Sequence, residues 1–191
     1  MKLKHLFFLI AVTFAFTACK NNQEKEKQEE IETVEEEKIE VKTLSIALEP
    51  RSDSKASGKV VFTEENGVVT MYGEVQGLTS GLHAVHLHEF SDCSDPEGMS
   101  TGGHWNPTFE RHGKWGDAEG YHKGDIGNFK ADENGFGIIS FATDEWCIGC
   151  GDETKDILGK SVIVHAGVDD FVTQPTGDAG GRISCGGIIQ Y

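Results

Sequence analysis

Between Thr43 and Tyr191 the sequence lacks any stretch of useful length in which apolar residues recur at helical spacing, which excludes helix-built architectures. Positive charge is scarce as well. The whole chain carries 17 Lys and Arg against 32 Asp and Glu; from Thr43 onward the counts are 10 and 23, a net of −13. A surface of that sign is a poor partner for nucleic acid or for an anionic membrane. The N-terminal apolar stretch, Leu6 to Phe16, is far shorter than the roughly 20 residues that a spanning helix needs. The segment KNNQEKEKQEEIETVEEEKIEVK that follows Cys19 has no Gly, Pro or aromatic residue, and charges separate its few apolar residues. It has no face to bury.

What the N-terminus does have is a leader. MKLKHLFFLIAVTFAFTAC opens with Lys2 and Lys4, runs through the apolar stretch and ends in small residues, the pattern of a secretory signal peptide over residues 1–18. FTAC resembles the lipobox of bacterial lipoproteins, although Phe16 stands where Leu is usual. The resemblance implies lipidation at Cys19 and a protein held to a membrane only by that lipid, facing the periplasm or the surface of a bacterium. A plain secreted protein with a spare thiol is the alternative; an exposed free cysteine is a liability, which favours the lipid. Residues 19–42 then read as an acidic, disordered tether and 43–191 as the folded domain.

Within that domain, alternating or β-branched runs recur between turn residues: TLSIALE, GKVVFTE, GVVTMYGEV, GLHAVHLHE, GFGIISFAT, GKSVIVHAG and RISCGGIIQY. EENG and DENG are hairpin signals of the Asn-Gly kind. The class is all-β, a sandwich or barrel. Two long irregular connections, Phe90 to His122 and Ala166 to Arg182, are where function is expected, with a shorter third from Thr143 to Leu158. Four cysteines remain after Cys19: Cys93, Cys147, Cys150 and Cys185. An even number in an exported domain implies disulfides, but the number alone gives no pairing.

GLHAVHLHEF places three of eight histidines within six positions. Side chains alternate along a strand, so His86 and His88 share one face while His83, Val85 and Leu87 share the other. The apolar set must point inward, which puts His83 in the barrel wall and the other two outside. Backbones at i and i+2 lie about 7 Å apart, close enough for both rings to reach one ion at ~2 Å. His104, His112 and His122 lie in the first long loop, and His165 closes SVIVH. In HKGD, Asp125 follows His122 by three residues, so ring and carboxylate can meet one cation. Histidine with carboxylate suits zinc, an all-nitrogen set suits copper, and these residues suffice for two sites if one ring is shared.

GLHAVHLHE, GGHWNP, HKGDIGN, VIVHAGVDD and TGDAGGRISCG, in that order, closely resemble the copper/zinc superoxide dismutases, over residues 43–191. The resemblance implies an eight-stranded, flattened Greek-key barrel that disproportionates superoxide to dioxygen and hydrogen peroxide. It implies copper on His86, His88, His104 and His165, and zinc on His104, His112, His122 and Asp125, with His104 bridging. Asp169 resembles the carboxylate that ties ligands of the two metals together, Arg182 the arginine beside the copper channel and Thr176 the threonine opposite. Cys93 and Cys185 resemble the family's disulfide. His83 matches a buried, hydrogen-bonded wall position. Cys93, five residues after His88, resembles the bacterial periplasmic branch, which differs in subunit assembly, so monomer and homodimer both stay open.

Two features depart from the better-known eukaryotic pattern. AGVDDFVTQPTGDAGG contains no lysine and no glutamate, leaving Arg182, with Lys114 and Lys123 as further candidates, to attract an anion. WCIGC imitates a thioredoxin pentad but sits in a Gly-rich loop ahead of a strand, and no His follows Cys150 for haem attachment. It reads as a local disulfide or, alternatively, a Cu(I) acquisition site. Two other functions compete with the enzyme: a metal-buffering lipoprotein, disfavoured by Arg182 and Thr176, and a copper-only or metal-free relative, disfavoured by His112, His122 and Asp125.

Overall fold

The computed structural model describes residues 40–190. The expected signal peptide, the expected lipidation at Cys19 and the expected tether up to residue 39 lie outside the described residues. Eight strands follow in chain order: β1 (Lys42–Pro50), β2 (Ser57–Glu65), β3 (Val68–Gln76), β4 (Gly81–His88), β5 (Gly127–Ala131), β6 (Gly137–Thr143), β7 (Ser161–His165) and β8 (Arg182–Gly187). Helix among the described residues is limited to one three-residue 3-10 turn, Met99–Thr101.

In spatial order the strands run β1-β2-β3-β6-β5-β4-β7-β8 and close into a barrel, every pairing antiparallel. The chain leaves β3 for β4 on the far side and returns later to fill the gap with β5 and β6, a Greek-key path. Two seams are thin. β1 meets β8 only at Glu49–Cys185 and Pro50–Ser184, and β5 meets β6 only at Ala131–Gly137, so the barrel is flattened into two four-stranded faces.

Local sequence explains the strands. β3 alternates buried and exposed along its whole length, with Val69, Met71 and Val75 inward. Asn66 and Gly67 both have positive φ, 52° and 76°, as the tightest hairpin turn requires, and join β2 to β3. DENG joins β5 to β6 through Gly135 at φ 75°, with Asp132 Oδ1 accepting the N–H groups of Asn134 and Phe136. The core between the faces contains Val60, Phe62, Met71, Leu87, Ile139 and Trp146. Each such side chain contributes roughly 1.5–3 kcal/mol by burial.

The seven apolar runs read from the sequence omit β5. GNFKA is five residues long, opens with Gly and Asn, and has only Phe129 and Ala131 to mark a buried face, too little to stand out as an apolar run. β1 begins at Lys42, which pairs with Glu64. Cys93, in the loop after β4, is disulfide-bonded to Cys185 in β8, the Cα atoms 5.9 Å apart. That pins the long β4–β5 connection to the last strand.

Candidate metal centre

β4 is the spine of the site. Val85 and Leu87 enter the core, and His86 and His88 leave by the opposite face, as alternation requires, but loops cover them until both rings are buried. His104 is brought back against β4 by a bridge to His88 and by the Trp105 N–H, which donates to the Leu87 carbonyl at 2.8 Å. The pairing of β7 with β4 sets His165 beside them. Asp125 Oδ2 accepts the backbone N–H groups of His122, 2.8 Å, and Gly113, 3.1 Å, and so draws the two ends of one loop segment toward His112.

The result is two four-membered groups. His86, His88, His104 and His165 each offer one ring nitrogen, all within 4.8 Å of one another; His104, His112, His122 and Asp125 offer theirs within the same limit. All seven side chains are buried, and His104 belongs to both groups. The rings of His86 and His104 lie 4.0 Å apart, and those of His104 and His112 5.4 Å.

The hydrogen bonds say which nitrogens are held ready. His86 Nε2–H and His112 Nε2–H donate to Asp169 Oδ2 and Oδ1, each at 2.9 Å. His88 Nδ1–H donates to the Gly102 carbonyl at 3.1 Å and His165 Nδ1–H to the Gly180 carbonyl at 3.2 Å. The opposite atoms, His86 Nδ1, His88 Nε2, His165 Nε2 and His112 Nδ1, together with His104 Nε2 and His122 Nδ1, are buried with no hydrogen-bond partner. Buried polar atoms are rarely left so. Six of them facing two points, four with their tautomers fixed from behind by oxygen acceptors, form the donor set that cations require. The first group is all nitrogen and suits copper; the second is three nitrogens and a carboxylate and suits zinc.

Burial holds His88 and His165 far below the usual histidine range, with the neighbouring rings and Arg182 adding to the effect. It lowers His104 to about 4 against the pull of Asp125. These rings are neutral at pH 7 and have lone pairs to offer. At His112 burial also acts downward, but the carboxylates of Asp125 and Asp169 outweigh it and raise the ring to about 9. Asp125 and Asp169 are pushed up by burial, yet their ring hydrogen bonds hold both well below the carboxylate range. Negative charge is therefore concentrated in and behind the second group. Space there is tight: a Cβ at Gly177, whose φ is 68°, would run into Asp169 Oδ1 and His112 Nε2.

Beside the first group lies a recess of about 290 Å³ lined by His88, His165, Thr176, Arg182 and Glu97, among others. Arg182 Nη1–H groups donate to the Gly98 carbonyl at 2.7 Å and to Thr101 Oγ1 at 2.9 Å, and Nη2–H to the Gly102 carbonyl at 2.8 Å. Three of its five N–H groups are thus spent on holding the guanidinium still, and the other two are left for an anion. The copper/zinc superoxide dismutase (SODC) family model matches residues 56–188. The chain belongs to the copper/zinc superoxide dismutase family. Among solved structures it is similar to a SOD-like protein from Bacillus subtilis, at 26% identity and a TM-score of 0.68, over 76% of this chain and 97% of that one. A double mutant of a SOD-like protein from Bacillus subtilis, with a tyrosine and a proline each replaced by histidine, matches at 28% identity and a TM-score of 0.67, with the same coverage.

Other residues of this superoxide dismutase family member have plainer roles. His83 is a wall residue: Nδ1–H donates to the His165 carbonyl at 2.8 Å, and Nε2 lies 2.9 Å from the Thr79 carbonyl and 3.2 Å from its hydroxyl, so both ring nitrogens are engaged. Lys123 pairs with Glu145 instead of standing free as a steering charge. Among the described residues, Arg182 is the one Lys or Arg lining the recess. Cys147 and Cys150 are disulfide-bonded to each other, the local pairing expected for WCIGC. The nearby Asp156 carboxylate is filled by the N–H groups of Gly149, Gly151 and Leu158. With sulfurs and carboxylate both occupied, the trio is not arranged to receive copper. A Cys147→Ala, Cys150→Ala double variant is accordingly expected to load as much copper as the parent, measured by elemental analysis after dialysis. A fall in copper content with an unchanged circular dichroism spectrum would restore the acquisition reading.

The sequence could not show the groups that hold the ligand rings from behind. Gly102 and Gly180 act through carbonyl oxygens, which every residue has. Thr101, whose hydroxyl lies against both Arg182 and His88, sits in a stretch with no motif.

Proposed function

We propose that this protein is a superoxide dismutase of the bacterial cell envelope, holding copper at His86, His88, His104 and His165 and zinc at His104, His112, His122 and Asp125. The observation that carries this is the convergence of six buried, partnerless ring nitrogens into two groups that share His104, beside a recess containing an immobilised arginine. The chemistry copper supplies when bound is one-electron exchange, by which two superoxide anions become dioxygen and hydrogen peroxide; zinc has no redox role.

The chain's own residues do the rest. Arg182 holds a small anion by its two spare N–H groups, against Thr176 on the same recess, and burial of the guanidinium strengthens that attraction. Asp169 fixes His86 and His112 at once, so the two groups keep their spacing. His104 can take up and return a proton at Nε2 without losing its place, because Nδ1 stays with the second group, 2.8 Å from Asp125 Oδ1. Peroxide formation needs protons, and Nε2 is where the chain can supply one.

Export is supported by the leader and by two disulfides among the described residues, since such bonds persist in oxidising compartments. FTAC supports a lipid anchor at Cys19. A metal-buffering envelope protein is the second reading, favoured by the poverty of positive charge: Glu97 shares the recess with Arg182, and residues 166–181 contain no Lys or Arg.

Titration with copper and zinc tests the assignment. One of each per chain is expected, and dismutase activity should rise with the first equivalent of copper; activity no greater than that of free copper at full occupancy would leave the buffering protein. Arg182→Ala is expected to keep both metals and lose at least about tenfold in second-order rate, read by pulse radiolysis, because the local focusing charge is gone. An unchanged rate would remove Arg182 from the mechanism.

A further inference from the structure

Two residues of the DEWCIGC loop, to which the sequence assigns no role, hold the residues on both sides of His122. Glu145 Oε1 accepts from the Tyr121 hydroxyl at 2.6 Å, and Glu145 Oε2 pairs with the Lys123 ammonium. Trp146 Nε1–H donates to the Lys123 carbonyl at 2.9 Å. Trp146 is itself immobile: it is buried, with ring centroids 5.0 Å from Phe141, 5.8 Å from Trp115 and 6.5 Å from Phe62. Trp115 in turn packs 5.0 Å from Tyr121, so the same cluster supports the segment after His112.

His122 needs this support more than its fellow ligands do. His86 and His112 are oriented by Asp169, and His88 and His165 by backbone carbonyls. His104 has a nitrogen in each group. His122 turns Nδ1 toward Asp125, 3.2 Å away, and among the described residues no acceptor holds its Nε2. Its ring can be aimed only through its backbone, which Asp125 holds at residue 122 and Trp146 at the Lys123 carbonyl, while Glu145 ties down the Tyr121 and Lys123 side chains on either side.

We propose that Glu145 and Trp146 are positioning residues for zinc, setting the aim of His122 through Tyr121 and Lys123. The inference rests on the second group being the zinc site. Partners of this kind alter metal affinity by about tenfold or more when removed.

The test is zinc release from the copper- and zinc-loaded full chain to a chromogenic chelator, in the parent, Glu145→Ala, Glu145→Gln and Trp146→Phe. Cobalt(II) in place of zinc reports ligand geometry by its visible absorption. Trp146→Phe keeps an aromatic ring in the cluster and removes only the N–H. Zinc release about tenfold faster is expected in Trp146→Phe and Glu145→Ala, with an altered cobalt spectrum and copper release at the parent rate. Glu145→Gln, whose amide oxygen still accepts from Tyr121, should recover part of the loss. Parent-like zinc release in the folded variants overturns the inference, as does equal acceleration of copper release, which would mean general loosening. If Trp146→Phe fails to fold, the partly exposed Glu145 decides alone. A parent that binds no zinc overturns both the reading of the second group and the inference; a parent that holds zinc while the variants match it overturns the inference only.

Discussion

Replacing Asp169 by alanine should weaken the hold on copper and zinc together, by about one to two orders of magnitude in affinity. Its two oxygens each take a ring N–H, one from either group, at the same distance of 2.9 Å. The carboxylate is held for that task. Asn128 accepts the Asp169 backbone N–H at 2.9 Å and donates to its carbonyl at 2.8 Å, and the Phe171 N–H reaches Oδ1 at 2.7 Å. Alanine would leave two buried ring donors unpaired and free both rings to turn or change tautomer. Asp169→Asn is a sharper probe, because its amide nitrogen would face a ring N–H, donor against donor, on one side only. Competition against chelators of graded strength, one metal at a time, measures the effect. A loss confined to one metal in Asp169→Ala would contradict the bridging role.

The second large effect is expected in stability. Cys93 and Cys185 close a loop of sequence separation 92, and in the chain-entropy model such a cross-link contributes on the order of 4 kcal/mol. For a domain of this size a Cys93→Ser, Cys185→Ser variant should melt roughly 10 °C lower. The disulfide also bears on the site. The loop it pins carries Gly98, Thr101 and Gly102, the three residues that hold the Arg182 guanidinium, and Cys93 itself accepts a hydrogen bond from Arg51. The variant should therefore lose rate as well as stability while retaining metal. Serine substitution is preferable to a reducing agent, which would also open Cys147–Cys150. A melting temperature equal to the parent's would mean that the loop is anchored by other contacts.

Much of the site could be read from local sequence because its logic is local. Strand alternation alone separates His83, whose ring is satisfied in the wall, from His86 and His88, whose bare nitrogens face the first group. The three-residue spacing of His122 and Asp125 forms a turn in which the Asp125 N–H donates to the His122 carbonyl at 3.0 Å. Asn66-Gly67 places its hairpin for the same reason: the turn's backbone angles suit those two residues. What stayed hidden depends on contacts distant in the chain. β5 is a strand because β4 pairs with it from Gly81 to Val85, not because GNFKA favours extension. Alternation puts His86 and His88 on the face opposite Val85 and Leu87, but their complete burial comes from loops whose path no periodicity describes. Trp146 and Glu145 meet Lys123 and Tyr121 more than twenty residues away, and no pattern in the sequence links them.

The most direct measurement is dismutase activity of the copper- and zinc-loaded chain beside its His165→Ala variant, with metal content determined in both. His165 gives the first group one of its four nitrogens and lies outside the second. High activity in the loaded parent is expected, falling to the level of free copper in the variant while zinc stays bound. Full occupancy of both sites in the parent with activity no greater than free copper, or a His165→Ala variant as active as the parent, would contradict the enzyme.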